Sequence, residues 1–207
     1  MRTEPASRRR PRRAYTLVEL VMVIAIMAIL ITLATHSIGS MLASQQLGSS
    51  FTRFSNELAL ASRLAAKENR LVGIRFLKRA EEGAPAEQTQ YRAWQFLVPD
   101  RTTGKWRPLG KAHLLDASTV MMEHGIYSTL LNHAPLVTAA AVDDADTTPP
   151  LFAFKPEGGT TLPRSSTAPK WCVTLALSSD LRRAPDQLPA NHRTLVLNAH
   201  TGAITEY

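Results

Sequence analysis

The chain contains no proline between Pro11 and Pro85, and residues 15–69 of this stretch follow two helical patterns in succession. Residues 15–34 are apolar or uncharged except for Glu19. Residues 35–69 are amphipathic, and their apolar side chains recur three and four positions apart, as on one face of a helix. The members of this face are Leu47, Phe51, Phe54, Leu58, Ala61 and Ala65.

These patterns predict one nearly continuous helix over residues 16–69, because a proline inside it would break the helical hydrogen bonding. At about 1.5 Å per residue the helix would be about 80 Å long. The segment 15–34 alone would span about 30 Å, the thickness of a bilayer's hydrocarbon core, so we expect it to cross a membrane. A cleaved signal peptide is the competing interpretation, but its apolar region is usually only about 7–15 residues long.

The net charge of +7 is concentrated at the N-terminus. Residues 1–14 contain six arginines and one glutamate, which gives +5 and leaves +2 for the rest of the chain. A basic segment before an apolar helix stays on the cytoplasmic side and directs the following chain outward. We therefore interpret the basic residues as a short leader rather than a nucleic-acid-binding arm, and we expect no nucleic-acid partner for the mature head.

Beyond residue 69 the sequence changes from helical periodicity to short apolar segments separated by turn residues, which is typical of strands. The predicted strands lie at residues 71–77, 91–98, 105–109, 151–154, 171–177, 193–197 and 203–207. Residues 112–142 show no pattern that assigns their elements. The sequence predicts an α+β fold, in which the long helix packs on a small antiparallel β-sheet head.

The predicted organisation has four parts: a leader, a transmembrane or assembly helix, its amphipathic continuation and a globular head. Their boundaries are 1–14, 15–34, 35–69 and 70–207.

The head carries no recognisable catalytic or metal-binding pattern. Cys172 is the only cysteine, so no intrachain disulfide can form, and it lies in an apolar strand where it resembles a small buried side chain. The histidines lack paired ligand spacing, and no phosphate-binding or nucleophile motif is present. We therefore expect no catalytic residue, no metal and no cofactor.

The junction between leader and helix carries a specific motif. Basic residues 8–13 precede a small residue, Ala14, which is followed by an aromatic residue, Tyr15, and by a carboxylate, Glu19. In this motif the chain resembles the type IV pilin-like proteins, which include the pilins and the pseudopilins of type II secretion. The family usually has glycine where this chain has Ala14.

The resemblance implies how these residues are used. A prepilin peptidase would cut between Ala14 and Tyr15 and methylate the new amine of Tyr15. Glu19 would then attract the N-terminal amine of a neighbouring pilin-like subunit during assembly. Before assembly the helix would lie in inner-membrane lipid as a single span, with the head in the periplasm or outside the cell.

The head also resembles known pilin-like heads. Residues 152–158 are similar to a Phe-x-Pro-x-Gly strand and turn of H-type minor pseudopilins, and residues 195–204 are similar to their closing hairpin. Together with other strands, these segments are similar to the D-type proteins of Verru_Chthon cassettes, which are themselves prepilin-like.

The leading hypothesis is a non-enzymatic minor pilin or pseudopilin that assembles into a type IV pilus or a type II secretion pseudopilus. Two alternatives remain open from the sequence. One is an extracytoplasmic binding protein anchored by an uncleaved transmembrane helix, and the other is a secreted enzyme with an ordinary signal peptide.

The N-terminal residue of the mature protein distinguishes the three hypotheses. We expect mass spectrometry of the protein isolated from its native membrane to find N-methyltyrosine at position 15. An intact N-terminus would favour the anchored binding protein. A start near residue 40 would favour the secreted enzyme.

Overall fold

A single helix, α1, spans Leu17–Glu68. The predicted helix over residues 16–69 is therefore confirmed to within one residue at each end. Its last turn is closed by Asn69, which adopts a left-handed φ of 49°, while the N–H of Arg70 donates to the carbonyl of Ala65 at 3.2 Å. This arrangement satisfies a carbonyl that the helix leaves without a partner and turns the chain toward the first strand.

The coordinates come from a computed structural model and divide into two compact units, Met1–Met41 and Leu42–Tyr207. Within α1, the side chains of residues 33–38 and 40 are not described. Backbone structure is described for residues 16–81, 85, 88–143, 148–164 and 170–207. Over those residues, none of the helices combines the length and the apolar character needed to cross a membrane. The span over residues 15–34 stays a prediction.

In the described part of the second unit, short strands follow α1 and a second helix, α2, follows the seventh of them. Their bounds are β1 (Val72–Ala80), β2 (Thr89–Pro99), β3 (Trp106–Pro108), β4 (His113–Leu114), β5 (Thr119–Met121), β6 (Phe152–Phe154), β7 (Trp171–Leu177), α2 (Ser178–Arg183), β8 (His192–Leu197) and β9 (Ile204–Glu206).

The strands form two antiparallel sheets. The first has the order β3-β2-β1-β6, with β4 also paired to β2, and the second has the order β5-β7-β8-β9. The α+β class is confirmed. The sheet that the sequence predicts is thus divided in two, and residues 112–142, which the sequence left unassigned, contribute β4 and β5.

The predicted apolar face of α1 is buried in the core of the head. Its six side chains, from Leu47 to Ala65, are each at most 4% exposed. The ring of Phe54 meets Trp94 of β2 edge-to-face at 5.0 Å and lies 6.0 Å from Phe76 of β1. Val173 and Leu195 of the second sheet belong to the same cluster. Both sheets therefore share one core, which is built on this face of the helix.

Polar contacts join a second face of α1 to the segment that precedes β5. The hydroxyl of Ser50 donates to the Asp116 carboxylate at 2.7 Å, and the backbone N–H of Asp116 donates to the Ser50 hydroxyl at 3.1 Å. The hydroxyl of Ser118 donates to the side-chain carbonyl of Gln46 at 2.7 Å. These bonds hold Asp116 and Ser118 against the helix.

We expect Phe54→Ala to destabilise the head by about 3–5 kcal/mol, since it removes a fully buried ring and leaves a cavity. Chemical unfolding followed by tryptophan fluorescence measures the change, because Trp94 contacts the deleted ring. Asn56→Ala, on the exposed side of the same helix, is the matched control and should change the stability by less than about 0.5 kcal/mol. Equal stabilities for the two variants would contradict the position of this core.

Candidate functional site

The first turn of α1 holds Glu19, the one predicted site residue that the structure describes. Ala14 and Tyr15, the predicted processing residues, lie outside the described residues. Glu19 is solvent-exposed, and its backbone N–H donates to the hydroxyl oxygen of Thr16 at 3.3 Å. Because Thr16 directly precedes the helix, this bond caps one of the amide groups that a helix start leaves without a partner.

The cap at Thr16 is a feature that the sequence analysis missed. The signal was present, because Thr16 and Glu19 have the threonine-x-x-glutamate spacing of a capping box. A carboxylate in the first turn also interacts favourably with the positive end of the helix dipole, by about 0.3–1 kcal/mol. The residue pair thus helps to start α1 whether or not Glu19 meets a charged partner.

Around Glu19 the helix exposes a continuous apolar surface. Twelve large apolar side chains between Leu17 and Ile31 are 49–79% exposed. They include the five consecutive residues 20–24, which cover the whole circumference because successive helical residues are about 100° apart. Apolar surfaces of this extent mark sites of interaction with membranes or other proteins. Glu19 is the one charged side chain among residues 16–32.

The described residues of the head contain no cluster of chemically reactive side chains. No group of three or more histidine, cysteine or acidic side chains there could hold a metal ion. The Cys172 thiol is buried against backbone carbonyls, 3.5 Å from that of Tyr127. Trp171 is also buried, and its indole N–H donates to the Pro163 carbonyl at 3.1 Å. These side chains have structural partners.

The acidic residue Glu81 is occupied by arginine side chains. Its carboxylate accepts from Arg92 at 2.9 Å and from Arg182 at 3.3 Å, so it links β2 to α2. Burial lowers the pKa of the Arg92 guanidinium from its ordinary value, and the Glu81 carboxylate opposes that shift. Glu81 is therefore an ion-pair partner rather than a free loop carboxylate.

Comparison with known proteins finds a match to a family motif in the N-terminal region. The family model for the prokaryotic N-terminal methylation motif matches residues 9–35. Among solved structures, the chain is similar to the solution structure of E. coli GspH, with 17% identity, a TM-score of 0.47, and coverage of 80% of this chain and 89% of that chain. No curated protein matches the chain.

The matched motif contains Ala14, Tyr15 and Glu19, together with most of the exposed apolar surface of α1. The resemblance of this N-terminus to that of prepilin-like proteins is confirmed. The individual roles of the three residues stay predictions.

We expect Thr16→Ala to loosen the first turn of α1, because it removes the capping oxygen at a cost of about 1 kcal/mol. Hydrogen exchange on the protein in detergent micelles should show the amides of residues 18–20 exchanging about fivefold faster, which corresponds to that energy. Thr16→Ser keeps the oxygen and should exchange like the wild type. Unchanged exchange in Thr16→Ala would contradict the capping role.

Proposed function

We propose that this chain is a prepilin-like structural subunit, a minor pilin or pseudopilin without enzymatic activity. Prepilin peptidase cuts it between Ala14 and Tyr15 and methylates the new amine of Tyr15. The subunit then enters a pilus or pseudopilus through its N-terminal helix. The observation that carries the proposal is the methylation motif at residues 9–35, which coincides with a helical surface that is apolar apart from Glu19.

The exposed apolar surface supports assembly, because it is costly to leave in water. Burying one side chain of the size of leucine or isoleucine contributes roughly 1.5–3 kcal/mol. Twelve such side chains between Leu17 and Ile31 therefore provide a large driving force for leaving water. Lipid of the inner membrane covers this surface before assembly, and the helices of sibling subunits cover it afterwards.

Apolar contacts alone do not fix the axial position of the helix relative to its neighbours. Glu19 favours one such position. A carboxylate buried among apolar helices is strongly destabilising unless a positive charge lies beside it. At 4 Å two opposite charges attract by about 4 kcal/mol at an effective dielectric constant of 20. The methylated amine of Tyr15 on a neighbouring subunit supplies that positive charge, so the pair favours one axial position over the others.

The charge distribution also supports the proposed orientation. The leader of residues 1–14 carries +5 and stays in the cytoplasm, where the peptidase removes it. The head then lies in the periplasm or outside the cell, and the mature chain keeps only a small net charge. Its partners are the peptidase, other pilin-like subunits and, before assembly, inner-membrane lipid.

We expect Glu19→Gln to reduce incorporation into fibres at least tenfold and to leave the amount of membrane-bound, processed protein unchanged. Glutamine has the same shape as glutamate and keeps the backbone N–H that bonds to Thr16, so the substitution removes the charge alone. Sheared fibres and membranes quantified by immunoblotting measure the two amounts.

The matched control is Thr16→Ala, which removes the cap and keeps the carboxylate. It should retain at least half of the wild-type incorporation. Normal assembly of Glu19→Gln would refute the charge pairing. A defect of equal size in Thr16→Ala would instead assign the effect to the start of the helix.

A further inference from the structure

Among the strands that the structure describes, β9 (Ile204–Glu206) lies at the edge of the second sheet and pairs on one side only, with β8. Thr194 and Tyr207 exchange two backbone hydrogen bonds, at 2.8 and 2.9 Å, and Asn198 donates to the carbonyl of Ala203 at 2.9 Å. In an antiparallel ladder, residues that bond to the neighbouring strand alternate with residues whose backbone groups point away from it. The N–H and C=O groups of Ile204 and Glu206 therefore point away from β8.

Two cavities lie between this edge and α1. One has a volume of about 350 Å³, and its walls include Ser62 and Arg63 of the helix and residues 201–204, which are the turn before β9 and the first residue of the strand. The other has a volume of about 340 Å³, and its walls include Thr52 of the helix and Glu206 of the strand. Both lie along the same side of the helix, so we treat them together and call them the β9 groove.

The β9 groove has the length of a short extended peptide. Thr52 and Ser62 are ten positions apart along the helix, which is about 15 Å at about 1.5 Å per residue. A strand covers that distance with about five residues at about 3.3 Å each. The helix side of the groove is lined mainly by small side chains such as Ser55 and Ala59, and at one end by the ring of Phe51. An additional strand beside β9 thus has room on its helix-facing side.

Charge distinguishes the two ends of the β9 groove. Arg63 is exposed at one end and has no hydrogen-bond or ion-pair partner among the described residues. The other end contains both Arg193 and Glu206, whose charges offset each other. The Arg63 end is therefore the positive end, and it is complementary to a carboxylate.

We propose that the β9 groove binds an extended segment of a partner polypeptide as an additional antiparallel strand of the second sheet. Strand addition uses the outward N–H and C=O groups for affinity and side-chain contacts for specificity. Because β9 runs from the Arg63 end toward the Thr52 end, an antiparallel strand runs the opposite way. Its C-terminal end carries an acidic side chain that meets Arg63. This inference does not depend on fibre assembly or on Glu19.

The test uses the full-length protein in detergent micelles and a fluorescently labelled five-residue peptide. The peptide alternates threonine and valine and ends in an amidated aspartate, so that the side chain carries its only carboxylate. Fluorescence anisotropy measures the dissociation constant. A peptide ending in lysine tests the charge, and a peptide with methylated backbone nitrogens tests the strand hydrogen bonds.

We expect saturable binding of the aspartate peptide and at least tenfold weaker binding of both other peptides. Arg63→Glu should weaken binding of the aspartate peptide at least tenfold and improve binding of the lysine peptide. Lys67→Glu is the matched control, because it reverses a charge one turn further along α1 and outside the groove. It should change the dissociation constant by less than twofold.

Three outcomes of the binding experiment would overturn the proposal: no saturable binding, equal binding of the peptide with methylated nitrogens, or equal effects of Arg63→Glu and Lys67→Glu. A second copy of this chain could occupy the β9 groove instead, and sedimentation of the protein without peptide tests this alternative. A dimer that dissociates when the peptide is added would assign the β9 edge to self-pairing. The amount of the Arg63→Glu variant that enters fibres separates the peptide-binding hypothesis from the proposed function in fibre assembly. Failure of peptide binding with normal assembly refutes the β9 groove alone.

Discussion

The organisation of this protein depends on one helix that meets two different environments along its length. Between Leu47 and Ala65, one face of α1 is almost completely buried, and the strands of both sheets build their shared core on it. Between Leu17 and Ile31, the same helix exposes apolar side chains around its whole circumference. A helix satisfies its own backbone hydrogen bonds, so the side chains alone decide which environment each part requires.

The buried face of α1 and its exposed apolar segment therefore differ in how specifically they determine their contacts. The core of the head is specific because aromatic rings such as Phe54 and Trp94 interlock in one geometry, and a change of volume there is costly. The exposed apolar surface has no such shape of its own and could associate in many registers. A charge within it favours the arrangements that give it a partner, because burying that charge without one is strongly destabilising. In the proposed assembly, Glu19 is the residue that provides this selection.

The start of the helix combines two roles in neighbouring residues. Thr16 caps the first turn through the backbone of Glu19, whereas the Glu19 side chain remains exposed. The backbone and the carboxylate of Glu19 are thus separate functional groups that different substitutions can remove. Ala14 and Tyr15, the predicted processing residues, belong to the matched methylation motif.

Regular periodicity made much of the fold predictable. The spacing of the apolar residues predicted the buried face of α1. The apolar runs predicted β1, β2, β3, β6, β7, β8 and β9, with every strand end correct to within three residues. Residues 112–142 could not be assigned, because they are held by isolated contacts rather than by a repeating pattern. Asp116 illustrates this, since its partner Ser50 is 66 residues away in the sequence.

The sequence by itself therefore determined the long helix, its buried face, the α+β class and the methylation motif. Each of these follows from residues that are close together in the chain and act through local periodicity or local chemistry. Only the tertiary structure decided that the described strands form two sheets, that Glu81 pairs with Arg92 and Arg182, and that β9 is the last of these strands in its sheet and lies beside α1. These features depend on which distant segments meet, and a single sequence contains no local signal for that choice.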